Sequence, residues 1–152
     1  MARILIVGAG DVGGRAAVAL SAQGHQVWAL RRSLPEQRPS LSGVRTLVAD
    51  VTRPETLTQL PSALDIVITA LSPGESGEAA YRRVYVEGTR HLLLALAGQT
   101  LLRHFWVSST SVYRESKGDW VDDDTPVAAS SATTEALIDA EALVLSAAWP
   151  ST

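Results

Sequence analysis

Short runs of β-branched and other apolar residues alternate along this chain with longer segments of helical period, the order expected of a parallel sheet wrapped by helices. The pattern predicts strands over residues 3–7, 26–30, 44–48, 65–70 and 104–108. Ile4-Leu5-Ile6-Val7 and Ile66-Val67-Ile68 have no polar face, so these strands should be covered on both sides. Helices are predicted at about 12–23, 54–60, 77–97 and 130–147. In the last of these Leu137, Ala140, Val144 and Ala147 recur at three- and four-residue steps, a stripe that should pack on the sheet. The fold class is therefore α/β, a doubly wound parallel sheet of about five strands in a single domain spanning residues 1–152.

Two connections carry loop punctuation. Residues 33–43 contain Pro35, Pro39 and Gly43, and residues 114–126 are polar, with Asp122-Asp123-Asp124 ahead of Thr125-Pro126. That acidic run reads as a solvated loop or a helix entry, not a metal site.

Composition narrows the chemistry. A chain of 152 residues is one domain's worth of protein, large enough to bury a core. Thirteen basic against sixteen acidic side chains give a net charge of −3, without the basic excess that a phosphate backbone demands, so no nucleic-acid partner is expected. With no cysteine there is no disulfide framework, thiolate nucleophile or Cys-based metal site. His25, His91 and His104 stand alone, with no second His at ligand spacing. The apolar stretch Ile4–Val7 is too short for a signal-peptide core or a membrane span, and a cytoplasmic protein is the default expectation.

The first strand ends in Gly8-Ala9-Gly10-Asp11-Val12-Gly13, a G-x-G-x-x-G match between a strand and a helix, where a dinucleotide-binding loop requires it. Gly8 permits the tight turn, Gly10 lets backbone approach a pyrophosphate, and Gly13 lets the helix sit close to the strand. The helix starting there aims free N–H groups and its positive dipole end at the diphosphate. Asp11 would repel that group, so its side chain is expected to turn away and cap the helix.

Roughly 20 residues past such a loop, an NAD-selective site ends the second strand with an acid that binds both ribose hydroxyls. Here the strand ends in Leu30-Arg31-Arg32-Ser33. An arginine there removes a repulsive carboxylate and offers a guanidinium to a 2′-phosphate, which points to NADP(H), with NAD(H) as the alternative. The other reading of Arg31 and Arg32 is a solvated basic pair closing a strand. Asp50 and Val51, at the end of the third strand, fit an adenine amino group and ring face. Asp50 fits equally well as a helix cap ahead of Pro54. Ala70, Leu71 and Ser72 bring small residues from the fourth strand to the same edge, where ribose and nicotinamide could approach.

Taken together, Gly8–Gly13, Arg31-Arg32, Ala49-Asp50-Val51, Tyr85-Val86-Glu87-Gly88-Thr89 and Val107-Ser108-Ser109-Thr110-Ser111-Val112-Tyr113 resemble the extended and atypical branches of the short-chain dehydrogenase/reductase superfamily, including its NAD-dependent epimerase/dehydratases. The resemblance implies a Rossmann-type NAD(P)-binding fold, oxidoreductase chemistry, and Ser109, with Thr110 beside it, as the candidate catalytic residues that orient a substrate oxygen. It also implies a Tyr-x-x-x-Lys pair on the following helix to complete proton transfer. This chain has Thr133 where the Tyr belongs and Leu137 where the Lys belongs, and Val7 replaces the first glycine of the loop pattern of extended members. Tyr113 is expected to pack beneath its loop instead of substituting for the missing Tyr. Both departures point to the atypical branch, where some members bind cofactor without ordinary dehydrogenase catalysis.

Relatives of this kind are about twice as long, which implies that the chain covers their cofactor-binding half and stops before a sixth strand. The expected function is binding of NADP(H), with action on a nucleotide sugar or related carbonyl compound if the chain is catalytic. The alternative is a non-catalytic dinucleotide-binding module or redox sensor. A potassium-transport regulatory domain shares the glycine loop but usually ends its second strand in an acid. The expected partners are the dinucleotide and a small-molecule substrate, with no membrane and with a homodimer left open.

Overall fold

A computed structural model describes residues 1–33, 41–114 and 118–152. It contains β1 (Arg3–Val7), α1 (Asp11–Ala22), β2 (Gln26–Arg31), β3 (Arg45–Val48), β4 (Ile66–Thr69), α2 (Glu78–Tyr81), α3 (Gly88–Leu96), β5 (Arg103–Trp106) and α4 (Ala132–Leu145). The strands form one parallel sheet in the order β3-β2-β1-β4-β5. The chain winds outward from β1 to β3, then returns to lay β4 on the other side of β1. That reversal opens a crevice at the carboxyl ends of β1 and β4, the usual ligand position in sheets of this topology.

Side-chain alternation on the central strands builds two cores. Leu5 and Val7 enter one with Trp28, Leu30, Val67, Leu92 and Leu96, whereas Ile4 and Ile6 enter the other with Val27, Ala29 and Ala17 of α1. A strand with period-two geometry and no polar residue must be covered on both faces, and β1 is. The opposite, amino-terminal edge is tied by polar contacts: Arg3 N–H donates to Asp65 Oδ2 at 2.7 Å, and the Arg3 guanidinium lies 4.7 Å from the Trp28 ring centroid.

All five strands occur where the pattern placed them, with ends shifted by a residue or two. The helix expected at 54–60 is a 3-10 helix, Pro54–Gln59. The long one expected at 77–97 is interrupted in its middle: α2 and α3 are joined without a break by a π-helical stretch, Arg82–Glu87. Ser131 caps α4, its hydroxyl accepting from Thr134 N–H at 3.2 Å. Leu137, Ala140 and Val144 of the stripe are buried with Trp106 and Val112, whereas Ala147 lies past the end of α4 and is only partly buried. Beyond α4, Ser151 pairs in parallel with His104, and Trp106 N–H donates to the Thr152 carbonyl at 2.8 Å. The predicted loop at 33–43 falls largely on residues 34–40, outside the described residues, as do 115–117 of the acidic loop. Among the described residues no helix is long and apolar enough to cross a membrane.

Candidate functional site

At the topological reversal lies a cleft of about 320 Å³. Its floor is Gly8, Ala9 and Gly10; one wall is Leu30–Ser33 and Ala49–Thr52, and the other is Ala70–Ser72, Gly74 and Val84. The glycine loop is fixed from below, because Gly8 and Ala9 N–H groups both donate to the Leu30 carbonyl, at 3.1 and 3.2 Å. Gly14 N–H reaches the Gly10 carbonyl at 2.9 Å, the first helical bond of α1, so the amides ahead of it fall in the helix's first turn, where the intrahelical ladder supplies no acceptor.

The three motif glycines are not equivalent. A Cβ on Gly8 would lie 2.3 Å from the Ala70 carbonyl oxygen, at a φ of +93° that favours glycine, and one on Gly13 would lie 2.3 Å from the Gly8 carbonyl oxygen. Those two allow strand, loop and helix to touch. At Gly10 an added Cβ would meet nothing within 4 Å. That open space over a helix N-terminus fits a diphosphate, both in the room it leaves and in the dipole that faces it.

Asp11 departs from expectation. Gly10 occupies the cap position, no side chain caps the helix, and Asp11 stands in the first turn with its exposed carboxylate 3.2 Å from Arg15 Nε. The side chain turns away as anticipated but is neutralised by a pair one turn on instead of by backbone amides. Val12 is exposed and Gly13 is buried in the helix contact, so neither lines the cleft.

At the end of β2 the two arginines diverge. The Arg31 guanidinium reaches toward Gly14 on α1, and its Nε is buried without a hydrogen-bond partner. Arg32 crosses the cleft toward Gly74, where its Nη2 would lie 3.0 Å from an added Cβ. Among the described residues neither enters an ion pair. Asp50 is not a helix cap: its Oδ1 accepts from Thr52 N–H at 2.9 Å and from the Thr52 hydroxyl at 2.8 Å, closing a tight turn at the cleft wall. Val51 is buried against α3.

Ser109 and Thr110 are exposed beyond the end of β5 and do not line this cleft. The Ser109 hydroxyl accepts from Ser111 N–H at 3.3 Å and so caps the short turn Thr110–Val112. Tyr113 packs, as expected, against the cluster of Trp106, Val112 and Leu137. Leu137, at the position of the lysine in the resembling enzymes, is only 3% exposed within that cluster, and Thr133 bonds Ser131 at 2.9 Å.

Val84 on the cleft carries no sequence signal of its own, and Tyr85 next to it belongs to a resembling string without a role attached to it. The Tyr85 hydroxyl donates to the Leu71 carbonyl at 3.4 Å and its ring meets Tyr81 and Trp106 edge-on. Burial, reinforced by Tyr81, raises its pKa, so the phenol stays protonated. Val84 and Tyr85 both lie in the π-helical stretch and both meet the loop after β4, and apolar spacing alone does not reveal such a widening.

Comparison with known proteins places this geometry. Residues 8–146 match the profile of a family described as NAD(P)H-binding. A Methylobacillus flagellatus protein assigned as an NAD-dependent epimerase/dehydratase is 38% identical, with a TM-score of 0.79 over 99% of this chain and 52% of that one. A short-chain dehydrogenase/reductase superfamily protein from Agrobacterium tumefaciens, solved with bound NAD, is 26% identical, with a TM-score of 0.80 over 98% of this chain and 47% of that one. A UDP-glucuronic acid 4-epimerase from Bacillus cereus, 23% identical with a TM-score of 0.73 over 93% of this chain and 50% of that one, shares the fold. The chain thus spans about half the length of these solved structures. No match was found among curated proteins.

Proposed function

Because the chain belongs to the NAD(P)H-binding family, we propose that its cleft holds NADP(H) in preference to NAD(H), and that this is the cofactor-binding part of an oxidoreductase of the epimerase/dehydratase type. The observation that carries the reading is the floor and β2 wall of the cleft: open space over Gly10 at a helix N-terminus, with Arg31 and Arg32 where an acid would select NAD. The buried Arg31 Nε, unpartnered among the described residues, supports it, since a guanidinium N–H still lacking an acceptor is suited to a 2′-phosphate. In this placement Gly8, Gly10 and the amides of Asp11, Val12 and Gly13 face the diphosphate, Asp50 and Val51 the adenine, and Ala70, Leu71 and Ser72 the nicotinamide riboside. When bound, the nicotinamide would supply or accept a hydride. The substrate class in this reading is a nucleotide sugar or related carbonyl compound, whose oxygen Ser109 and Thr110 would orient from the end of β5.

A second reading, a binding module without turnover, is favoured by Leu137. A buried leucine inside an apolar cluster offers no cation to lower a phenol's pKa, and the resembling enzymes depend on that effect. Titration with NADPH and NADH, followed by a carbonyl-substrate screen read at the reduced-nicotinamide absorbance, separates the readings. Tighter NADPH binding is expected, and equal or tighter NADH binding would overturn the preference. Turnover that Ser109→Ala abolishes supports the enzyme; binding without turnover across nucleotide sugars supports the module.

A further inference from the structure

Val51 is held from outside its own loop. Its neighbours are tied locally: Asp50 is bonded by Thr52 at its carboxylate and by the Thr56 hydroxyl at its backbone N–H and carbonyl, at 2.9 and 3.0 Å. Val51 instead meets α3 twice. Its side chain lies against Gly88, where an added Cβ would come within 2.7 Å of Val51 Cγ2, and its carbonyl oxygen is 2.8 Å from His91 Nδ1, forty positions along the chain. A carbonyl oxygen only accepts, so Nδ1 must carry the proton, which fixes the tautomer of neutral His91 with its bare nitrogen at Nε2.

We infer that His91 is a positioning residue for the cofactor: from outside the cleft it anchors the Asp50–Thr52 wall at the height needed to receive the adenosine end. This inference rests on the dinucleotide reading above. Gly88 and His91 sit three residues apart on one face of α3, so one turn of helix supplies both the flat seat for the Val51 side chain and the donor for its carbonyl. His91 does not line the cofactor cleft. Its outer side borders a separate surface groove with Pro54, Leu57 and Leu94, and the ring is only partly buried, so replacing it opens no hole in either core. Removing the bond would leave the Val51 carbonyl to find water, and would leave the wall tied to α3 only by the Val51 side chain against Gly88.

The test compares His91→Leu, His91→Gln and His91→Asn with the parent protein, measuring affinity for NADPH and for ADP-ribose alongside thermal unfolding. Asparagine places an N–H close to where Nδ1 stands, whereas glutamine carries its amide one carbon further out. Loss of one backbone-directed bond should weaken both ligands about tenfold in His91→Leu and His91→Gln. His91→Asn should stay within about twofold of the parent. Equal weakening of NADPH and ADP-ribose locates the effect at the adenosine end. Parent-like binding by His91→Leu or His91→Gln, loss confined to NADPH, or a folded His91→Asn as weak as the leucine variant would overturn the tether alone. A parent that binds neither ligand would overturn the dinucleotide reading with it.

Discussion

The carboxyl edge of this sheet carries two kinds of ground. Above β1, β2 and β3 the chain leaves space: Gly10 faces an opening, Arg31 and Arg32 are without ion-pair partners among the described residues, and Asp50 is held in a turn on the cleft wall. Beyond β5 it fills space, with Trp106, Val112, Leu137, Ala140 and Val144 closing into an apolar cluster rimmed by Tyr81, Tyr85 and Tyr113. The difference teaches that holding a dinucleotide and moving a proton make separate demands on one fold. The first is met mainly by backbone, by where a Cβ is missing and an amide is free. The second needs particular side chains at particular places, and at one of those places this chain has a buried leucine.

The sharpest way to break that comparison is at Gly10. If its vacancy is the diphosphate seat, Gly10→Val should reduce NADPH affinity by roughly 100-fold or more while leaving the unfolding temperature close to that of the parent, because a Cβ added there meets no protein atom within 4 Å. Gly8→Ala should do the reverse in kind. It forces a side chain onto a φ of +93° and against the Ala70 carbonyl, so it should cost at least about 1–2 kcal/mol of stability before any ligand is added. Equilibrium unfolding and cofactor titration on both variants read the two effects separately. Undiminished affinity in Gly10→Val would refute the placement.

The apolar side of the comparison is tested at Leu137. Truncation to alanine should cost about 2–4 kcal/mol in urea unfolding, the usual range for a buried leucine, without changing cofactor affinity in the protein that remains folded. Leu137→Lys should be worse than Leu137→Ala, since it drives an ammonium into an apolar cluster. A lysine variant as stable as the alanine variant would mean that the pocket opens readily toward solvent, and the contrast between the two regions would weaken.

What could be read from the sequence follows the same division. The strands were legible because β1 and β4 are apolar on both faces, and the glycine loop because its spacing carries its own geometry. Hidden features depend on distant contacts or on small changes of helical pitch. The π-helical stretch Arg82–Glu87, which holds Val84 and Tyr85, lies inside a run of helical hydrophobic spacing that does not reveal it. The His91 bond to Val51 joins residues forty apart that no local pattern relates. Asp11 does not cap the helix because Arg15, one turn later, offers a partner that stays in water. Ser109 was found by its motif, yet its position off the cleft depends on how the turn after β5 folds back on itself.

A smaller effect is expected at the corner where the two regions share a strand pair. Thr69 ends β4 beside the cleft and its hydroxyl lies 3.0 Å from Nε2 of His104 on β5, a ring buried completely, whose Nδ1 has no partner among the described residues. Burial lowers the His104 pKa from 6.5 to about 4, so the folded protein keeps it neutral where the unfolded chain would be protonated. Stability is therefore insensitive to this group above pH 6.5, falls as the pH drops below that value, and stops falling near pH 4, where the folded form protonates too. Between pH 7 and pH 5 the loss from this residue should be on the order of 2 kcal/mol. Urea unfolding of the parent and of His104→Gln at both pH values isolates it, because titrating carboxylates contribute to both proteins alike. The variant should start less stable at pH 7 and lose less on acidification, and parallel losses in the two proteins would show that the buried corner opens to protons as easily as the cleft beside it does.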